Sequence, residues 1–236
     1  MASFRVLIGI PSMHVWEADF GMCLTQMGLR LMRYRVADYS SGTAVFVINK
    51  KGSMLPTMRH ELVMDARKHD CTHLLFVDSD QTFPEETIHR LASHHELIVG
   101  ANVATKVLPP HTAPTARKKS VTPGFELLGD VVYTMENSSG LERVWRLGFG
   151  LMLIDMQVFD RIPMPHLFDM KWSDDGLQYV GEDWHFSQAC EARDIPIMVD
   201  HDLSKKIGHV GACEYTHDMI LPHMVEELRK GIQRAA

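Results

Sequence analysis

What this chain lacks narrows it before any motif is read. Its 236 residues hold only four cysteines, Cys23, Cys71, Cys190 and Cys213, scattered and with no C-x-x-C pair. That sets aside a disulfide frame or a zinc ribbon, and reduced thiols in a cytoplasmic protein are expected. No run approaches the ~18 apolar residues that a membrane span needs. The start, Met1-Ala2-Ser3-Phe4-Arg5, leads straight into a strand-like run with no visible signal peptide. Positive charge is not in excess: the formal net charge is −6, which argues against a general polyanion-binding surface. The local triplet Arg117-Lys118-Lys119 reads as a solvated mobile loop. Also missing are G-x-G-x-x-G after the first strand and any G-x-x-x-x-G-K-[ST]. The first turn, Gly9-Ile10-Pro11-Ser12, lacks the glycines that bring backbone close to a pyrophosphate. Any phosphates bound here must be balanced by something other than a glycine-lined helix terminus.

What is present suits one globular domain. A composition of 45% hydrophobic and 23% charged residues supports a full core. Strands are expected at 4–10, 44–48, 73–77 and 97–101. Between the first two, Phe20, Leu24, Met27 and Leu31 recur at helical spacing over 16–33. Asn49-Lys50-Lys51-Gly52 would close the second strand. Ser53 could then cap a helix whose inner face is Met58, Leu62, Val63 and Ala66. Pro84 would open the next helix, with Glu85 and Glu86 against its amino-terminal dipole. This alternation implies an α/β fold with a Rossmann-like, doubly wound and mostly parallel sheet.

Past residue 104 the pattern breaks, and a mixed second half is expected. Short β-like pieces fall at 131–135, 141–146 and 148–154. They lie among loops marked by Pro109-Pro110-His111, Pro114, Pro163, Pro165 and Ser173-Asp174-Asp175-Gly176. A helix at 183–192, a strand at 196–199 and a last helix at 222–234 follow. Residues 1–104 would form a nucleotide-binding half and 105–236 an acceptor half of one domain. The sixteen methionines read as core filler.

Three clusters carry chemistry. Asp78-Ser79-Asp80 follows the apolar run His73-Leu74-Leu75-Phe76-Val77, so its two carboxylates emerge on one side at the end of a buried strand. Their repulsion calls for a divalent cation, and a hard cation on one or two carboxylates completed by phosphate oxygens is how nucleoside diphosphates are held. Gly181-Glu182-Asp183-Trp184 opens a helix. Its acids either favour the dipole or supply a carboxylate base. His209, between Gly208 and Gly211, is either an ordinary loop histidine or a ligand; His14, His60, His89, His94 and His95 read as solvent or core histidines. Trp172 and Trp184 beside the second acidic cluster are either a sugar-stacking wall or ordinary packing.

The order of these pieces resembles the GT-A glycosyltransferases, and among them the family 2-like enzymes, in their small bacterial and phage form. The residues that carry the resemblance run from 4 to 211: Val6-Leu7-Ile8-Gly9-Ile10-Pro11-Ser12, Arg59, Leu74-Leu75-Phe76-Val77-Asp78-Ser79-Asp80, Gly148-Phe149-Gly150, Gly181-Glu182-Asp183-Trp184-His185-Phe186 and Ile207-Gly208-His209. The resemblance implies a metal-dependent transfer of a sugar from a nucleotide-diphosphate sugar to an acceptor hydroxyl, inverting and base-assisted. Pro11 and Ser12 would then line the nucleobase and ribose pocket. Arg59 would touch base or diphosphate, and Asp78 would face ribose or metal. Ser79 would lie against the nucleotide, and Asp80 and His209 would hold Mn²⁺ or Mg²⁺. Imidazole among the ligands favours Mn²⁺. Asp183 would be the base, with Glu182 in reserve, and Gly148 and Gly150 would admit the donor sugar. The chain departs from the pattern at Asn49-Lys50-Lys51. The acceptor could be a glycan, a small molecule or a modified nucleic acid. The alternatives are a sugar-phosphate nucleotidyltransferase, whose glycine- and lysine-rich signature is missing here, and a non-catalytic nucleotide-sugar-binding protein.

Overall fold

The computed structural model describes residues 3–36, 39, 42–108, 112–121, 129–162, 167–173, 176 and 179–220. The helix expected at 222–234, and Pro109-Pro110-His111, Pro163, Pro165 and Asp174-Asp175, lie outside the described residues. In chain order the first half runs β1 (Phe4–Ser12), α1 (Ala18–Arg33), β2 (Thr43–Lys51), α2 (Leu55–Lys68), β3 (His73–Val77), β4 (Gln81–Thr82), α3 (Thr87–Ser93) and β5 (Ile98–Gly100). The second half holds β6 (Arg117–Lys118), β7 (Asp130–Val131), β8 (Leu141–Val144), β9 (Leu151–Asp155), α4 (Gln157–Arg161), β10 (Lys171–Trp172) and β11 (Tyr179–Val180). It continues with α5 (Glu182–Glu191), β12 (Ile197–Asp200), α6 (His201–Ser204), β13 (Gly208–Val210) and β14 (Glu214–Tyr215).

Seven strands form the central sheet in the order β2-β1-β3-β9-β5-β12-β8. Five run one way, while β9 and β8 oppose their neighbours. The parallel expectation therefore holds for β2-β1-β3, and β9 is wedged antiparallel between β3 and β5. Leu151–Ile154 is buried throughout, and a continuous apolar run reports burial on both faces, not direction.

The two faces of the sheet bury two cores. Leu7, Leu74 and Phe76 pack under α2 (Leu62, Val63, Ala66) and α5 (Phe186, Cys190). Val6, Ile8, Ile10, Leu75 and Val77 pack under α1 (Phe20, Met27, Leu31) and α3 (Ile88, Leu91). Each fully buried Leu or Phe contributes about 1.5–3 kcal/mol. All four cysteines are unpaired. Burial pushes the Cys71 thiol up to about 11 and the Cys190 thiol up to about 12, so neither is a reactive thiolate.

Several boundaries move for local reasons. β1 runs on to Ser12 and β2 to Lys51, because the two strands pair in register to Ser12↔Lys51; Asn49-Lys50-Lys51 is strand, not loop. Pro11 is tolerated because the pairing with β3 stops at Gly9↔Phe76, leaving β1 a neighbour on one side only. Met54, not Ser53, precedes α2, and no side chain caps it. Pro84 does not open α3: the Thr87 amide and hydroxyl both donate to the Pro84 carbonyl (3.1 and 2.7 Å), making a turn before the helix.

Candidate functional site

β1 is the point where the chain reverses its direction of winding, with β2 on one side and β3 on the other. Ligands of open α/β sheets bind outside the carboxyl ends of the strands at such a switch. A cleft of about 430 Å³ opens there, lined by Pro11, Ser12, Met58, Asp78, Ser79 and Asp80 among others. Its volume lies within the range of small-molecule sites. The Ser12 hydroxyl accepts from Asn49 Nδ2 (2.8 Å), which also donates to the Ile10 carbonyl (2.7 Å), so Asn49 sets the cleft floor from β2.

The acidic turn is held by its backbone. Asp78 N donates to the Gly150 carbonyl (3.1 Å), and Gln81 N closes the turn onto the Asp78 carbonyl (3.2 Å). Glu17 N reaches the Ser79 carbonyl at 3.1 Å, and Val210 N the Asp80 carbonyl at 2.7 Å. The last bond belongs to a small sheet in which β4 pairs with β13, His209 opposite Gln81. Gly208 must be glycine for that pairing: a Cβ there would lie 2.0 Å from Glu214 Oε1 and 2.5 Å from Thr82 Oγ1, which are hydrogen-bonded to each other. This clearance is filled by the protein and admits no ligand.

The pairing brings His209 Nε2 to 3.2 Å from Asp80 Oδ1. His209 Nδ1 lies 2.8 Å from the Ala104 carbonyl, which can only accept, so Nδ1 carries a proton and Nε2 is the nitrogen turned toward Asp80. Asp80 Oδ1 is buried and receives no well-aligned hydrogen bond. A carboxylate oxygen and an imidazole nitrogen are both ligands of divalent ions, and ligands about 2.1–2.2 Å from one ion and 3.2 Å apart subtend close to the right angle of an octahedral shell. The residues present therefore fit a divalent ion. Asp78 is not part of this pair. Among the described residues no group of three or more His, Cys, Asp or Glu side chains converges, so phosphate oxygens and water would complete the shell. Burial tends to raise the Asp80 carboxyl, but hydrogen bonds and charge from His209 and Lys106 outweigh it and hold it below the usual carboxylate range.

Asp78 turns instead to Arg59, whose Nη2 lies 3.3 Å from Asp78 Oδ1; Arg59 Nε lies 3.3 Å from Glu182 Oε1. Arg59 is 2% exposed, and its guanidinium carbon stands 4.5 Å from the Phe149 ring centre and 5.3 Å from that of Phe76. A buried guanidinium needs such partners. One nitrogen, Nη1, still has none. Arg59 thus ties the acidic turn to the first residue of α5.

Asp183 makes no such tie. Its Oδ1 accepts from Trp184 N (2.7 Å), and its charge acts on Arg117 and Arg146, both of which burial pushes below the usual arginine value while Asp183 pulls them back up. Arg117 is half-buried in β6, and Lys118 and Lys119 pair with Glu142 and Glu191, so that triplet is not a mobile loop. Gly148 and Gly150 face the interior, where an added Cβ would meet Thr115 at 3.0 Å and Val103 at 3.2 Å. Trp184 is buried against Trp145 and Arg146, which is packing, while Trp172 is 61% exposed beside Tyr179. Lys106 and Arg146 had no motif to betray them in the sequence, and Arg117 showed only as part of a basic triplet; pairing across the second half brings them in.

No protein-family model matches the chain, and no curated protein sequence does. Solved structures do. A197 from STIV superposes with a TM-score of 0.60 over 92% of each chain at 16% identity. GalNAc-T7, crystallised with UDP, GalNAc and Mn²⁺, superposes at 0.50 and 12% identity over 94% of this chain. The fold is that of the GT-A glycosyltransferases. The chain spans about half, 47%, of the GalNAc-T7 chain. The catalytic domain of Drosophila beta1,4galactosyltransferase 7 with xylobiose, at 10% identity over 88% of this chain and 71% of its own, has a TM-score of 0.44, too low to add weight. Among the described residues no helix is long and apolar enough to cross a membrane.

Proposed function

We propose that this chain is a cytoplasmic, metal-dependent glycosyltransferase of the family 2-like kind in its small bacterial and phage form, moving a sugar from a nucleotide-diphosphate sugar to an acceptor hydroxyl with inversion. One observation carries the reading: the buried Asp80 Oδ1, without a well-aligned hydrogen bond, faces His209 Nε2 at 3.2 Å at the rim of a cleft at the sheet's switch point. GalNAc-T7, a protein of the same fold, was crystallised with UDP and Mn²⁺.

In this reading residues 1–104 bind the donor and the later half the acceptor. Pro11 and Ser12 flank the base and ribose, Ser79 lies against the nucleotide, and Asp78, oriented by Arg59, faces the ribose. Asp80 and His209 hold Mn²⁺, preferred over Mg²⁺ because imidazole is the softer ligand. When bound, the cation stabilises negative charge growing on the departing diphosphate. Asp183 takes the acceptor proton as its oxygen attacks the anomeric carbon. Arg117 and Arg146 both feel the charge of Asp183. Glu182, locked to Arg59, acts as the strut that places the start of α5.

A thermal-shift screen of nucleotide sugars with and without Mn²⁺ tests donor binding, since a ligand of the folded state raises its melting point. A Mn²⁺-dependent rise is expected; none with any donor would remove the reading. Asp183→Asn should lower turnover about 10²–10⁴-fold with donor binding retained. Slow donor hydrolysis separates an enzyme from a binding protein, and NMR of the product's anomeric centre reads the stereochemistry.

A further inference from the structure

The loop after β5 carries Lys106 into the acidic corner. Its ammonium stands 2.5 Å from Asp80 Oδ2, on the carboxylate whose other oxygen faces His209. The position is shaped for it. The Lys106 stem lies over Gly211, where an added Cβ would come within 2.9 Å of Lys106 Cδ. Thr105 N donates to the Ala113 carbonyl (2.8 Å) and Val107 N to the Thr105 carbonyl (2.9 Å), which holds the loop on both sides of the lysine. Val210 N, bonded to the Asp80 carbonyl, fixes the segment before Gly211 to the same turn. The carboxylate that would hold a cation therefore already has one, supplied by the chain.

We propose that Lys106 is a built-in competitor of the divalent cation: it neutralises Asp80 in the unloaded protein and moves onto the diphosphate when cation and donor arrive. The inference rests on the cation site proposed above. Its logic is electrostatic. An ammonium and a dication gathered on one carboxylate carry net positive charge and repel, until a diphosphate adds negative charge that both can share. Cation alone is then held weakly, and cation and diphosphate bind cooperatively, each raising the other's affinity by the same factor. Metal would load with the donor, not before it.

Mn²⁺ titrations of the full chain, followed by the electron paramagnetic resonance signal of the free ion, test this with inorganic pyrophosphate as the diphosphate probe. Lys106→Met keeps the stem and removes the charge. Without pyrophosphate the variant should bind Mn²⁺ roughly three- to fivefold more tightly than the wild type. Pyrophosphate should bind the Mn²⁺-loaded variant several-fold more weakly, and Lys106→Arg should keep the wild-type order of both. A lysine that merely supports the loop would weaken both ligands or neither. Equal Mn²⁺ affinity in wild type and Lys106→Met overturns the inference while leaving the cation site standing. Binding of Mn²⁺ to neither protein overturns the inference and the cation site together.

Discussion

Asp80 and Asp200 invite comparison, because each is an aspartate held by one basic side chain and one histidine. Asp200 is 0% exposed at the end of β12. It receives Arg90 through two nitrogens (2.5 and 2.8 Å), His94 Nε2 (2.8 Å) and the Leu203 amide in the first turn of α6 (3.0 Å). Both oxygens are satisfied. Asp80 has Lys106 on one oxygen, while the other faces His209 Nε2 at 3.2 Å without a well-aligned hydrogen bond, beside an open cleft. The same residue types thus make a strut in one place and a receptor in the other. What separates them is whether each lone pair has a well-aligned donor. A buried carboxylate with every acceptor filled holds the fold together; one with an acceptor left over is arranged for something not part of the chain.

The largest effect should come from the strut. Asp200→Ala leaves His94 without its carboxylate and Arg90 with Asp202 alone, and should cost about 3 kcal/mol in urea unfolding. A loss under about 1 kcal/mol would erase the contrast. Asp80→Asn should do the reverse: Mn²⁺ affinity falls at least roughly a hundredfold, about 2.7 kcal/mol, while the urea midpoint barely moves. If instead Asp80→Asn unfolds the protein, Asp80 is a strut too. Arg59→Met sharpens the picture between these extremes, since it unpairs Glu182 and Asp78, each still partly open to water. It should cost about 1–3 kcal/mol in stability and reduce turnover more than Mn²⁺ binding. Equal losses in both would place Arg59 in the cation site itself.

The smallest effect is the pH dependence of stability. Burial holds the His73 and His217 imidazoles below the usual value, and only weaker favourable contacts oppose it. The unfolded chain then takes up protons first, so the stability these residues give is complete above pH ~6.5 and lost below it. For Asp200, burial acts upward but Arg90, the Leu203 amide and His94 prevail, and the carboxyl lies below its usual value. Its contribution is present above pH ~4 and lost as pH falls through the lowered value. The melting temperature should therefore sag gently from pH 6.5 and drop faster below pH 4. A flat profile from pH 7 to 4.5 would contradict the histidine part.

The same contrast explains what could be read from the chain. β3 and the turn after it were legible because His73–Val77 is an unbroken apolar run ended by charged residues, and the expected bounds match. α5 was displaced by a single residue, its start marked by Gly181 and two acids. The central sheet's class was legible too, but the antiparallel insertion of β9 was not, because burial on both faces looks alike in either direction. Nothing in the local sequence says that β13 will pair with β4, and that pairing alone brings His209 to Asp80 across 129 positions. Lys106 sits in a stretch with no periodicity at all. Asp78 shows what spacing leaves open. Spacing of i and i+2 suggests a shared ligand, yet a turn separates the two carboxylates and a buried arginine takes the first.

The central claim is that Asp80 and His209 hold one cation at the diphosphate. Crystals soaked in Mn²⁺ and pyrophosphate, measured at the manganese absorption edge, test it most directly. The account predicts an anomalous peak about 2.2 Å from both Asp80 Oδ1 and His209 Nε2, with Lys106 turned from the carboxylate toward the pyrophosphate. A pyrophosphate bound in the cleft with no manganese between those two atoms, or manganese bound only elsewhere, would contradict it.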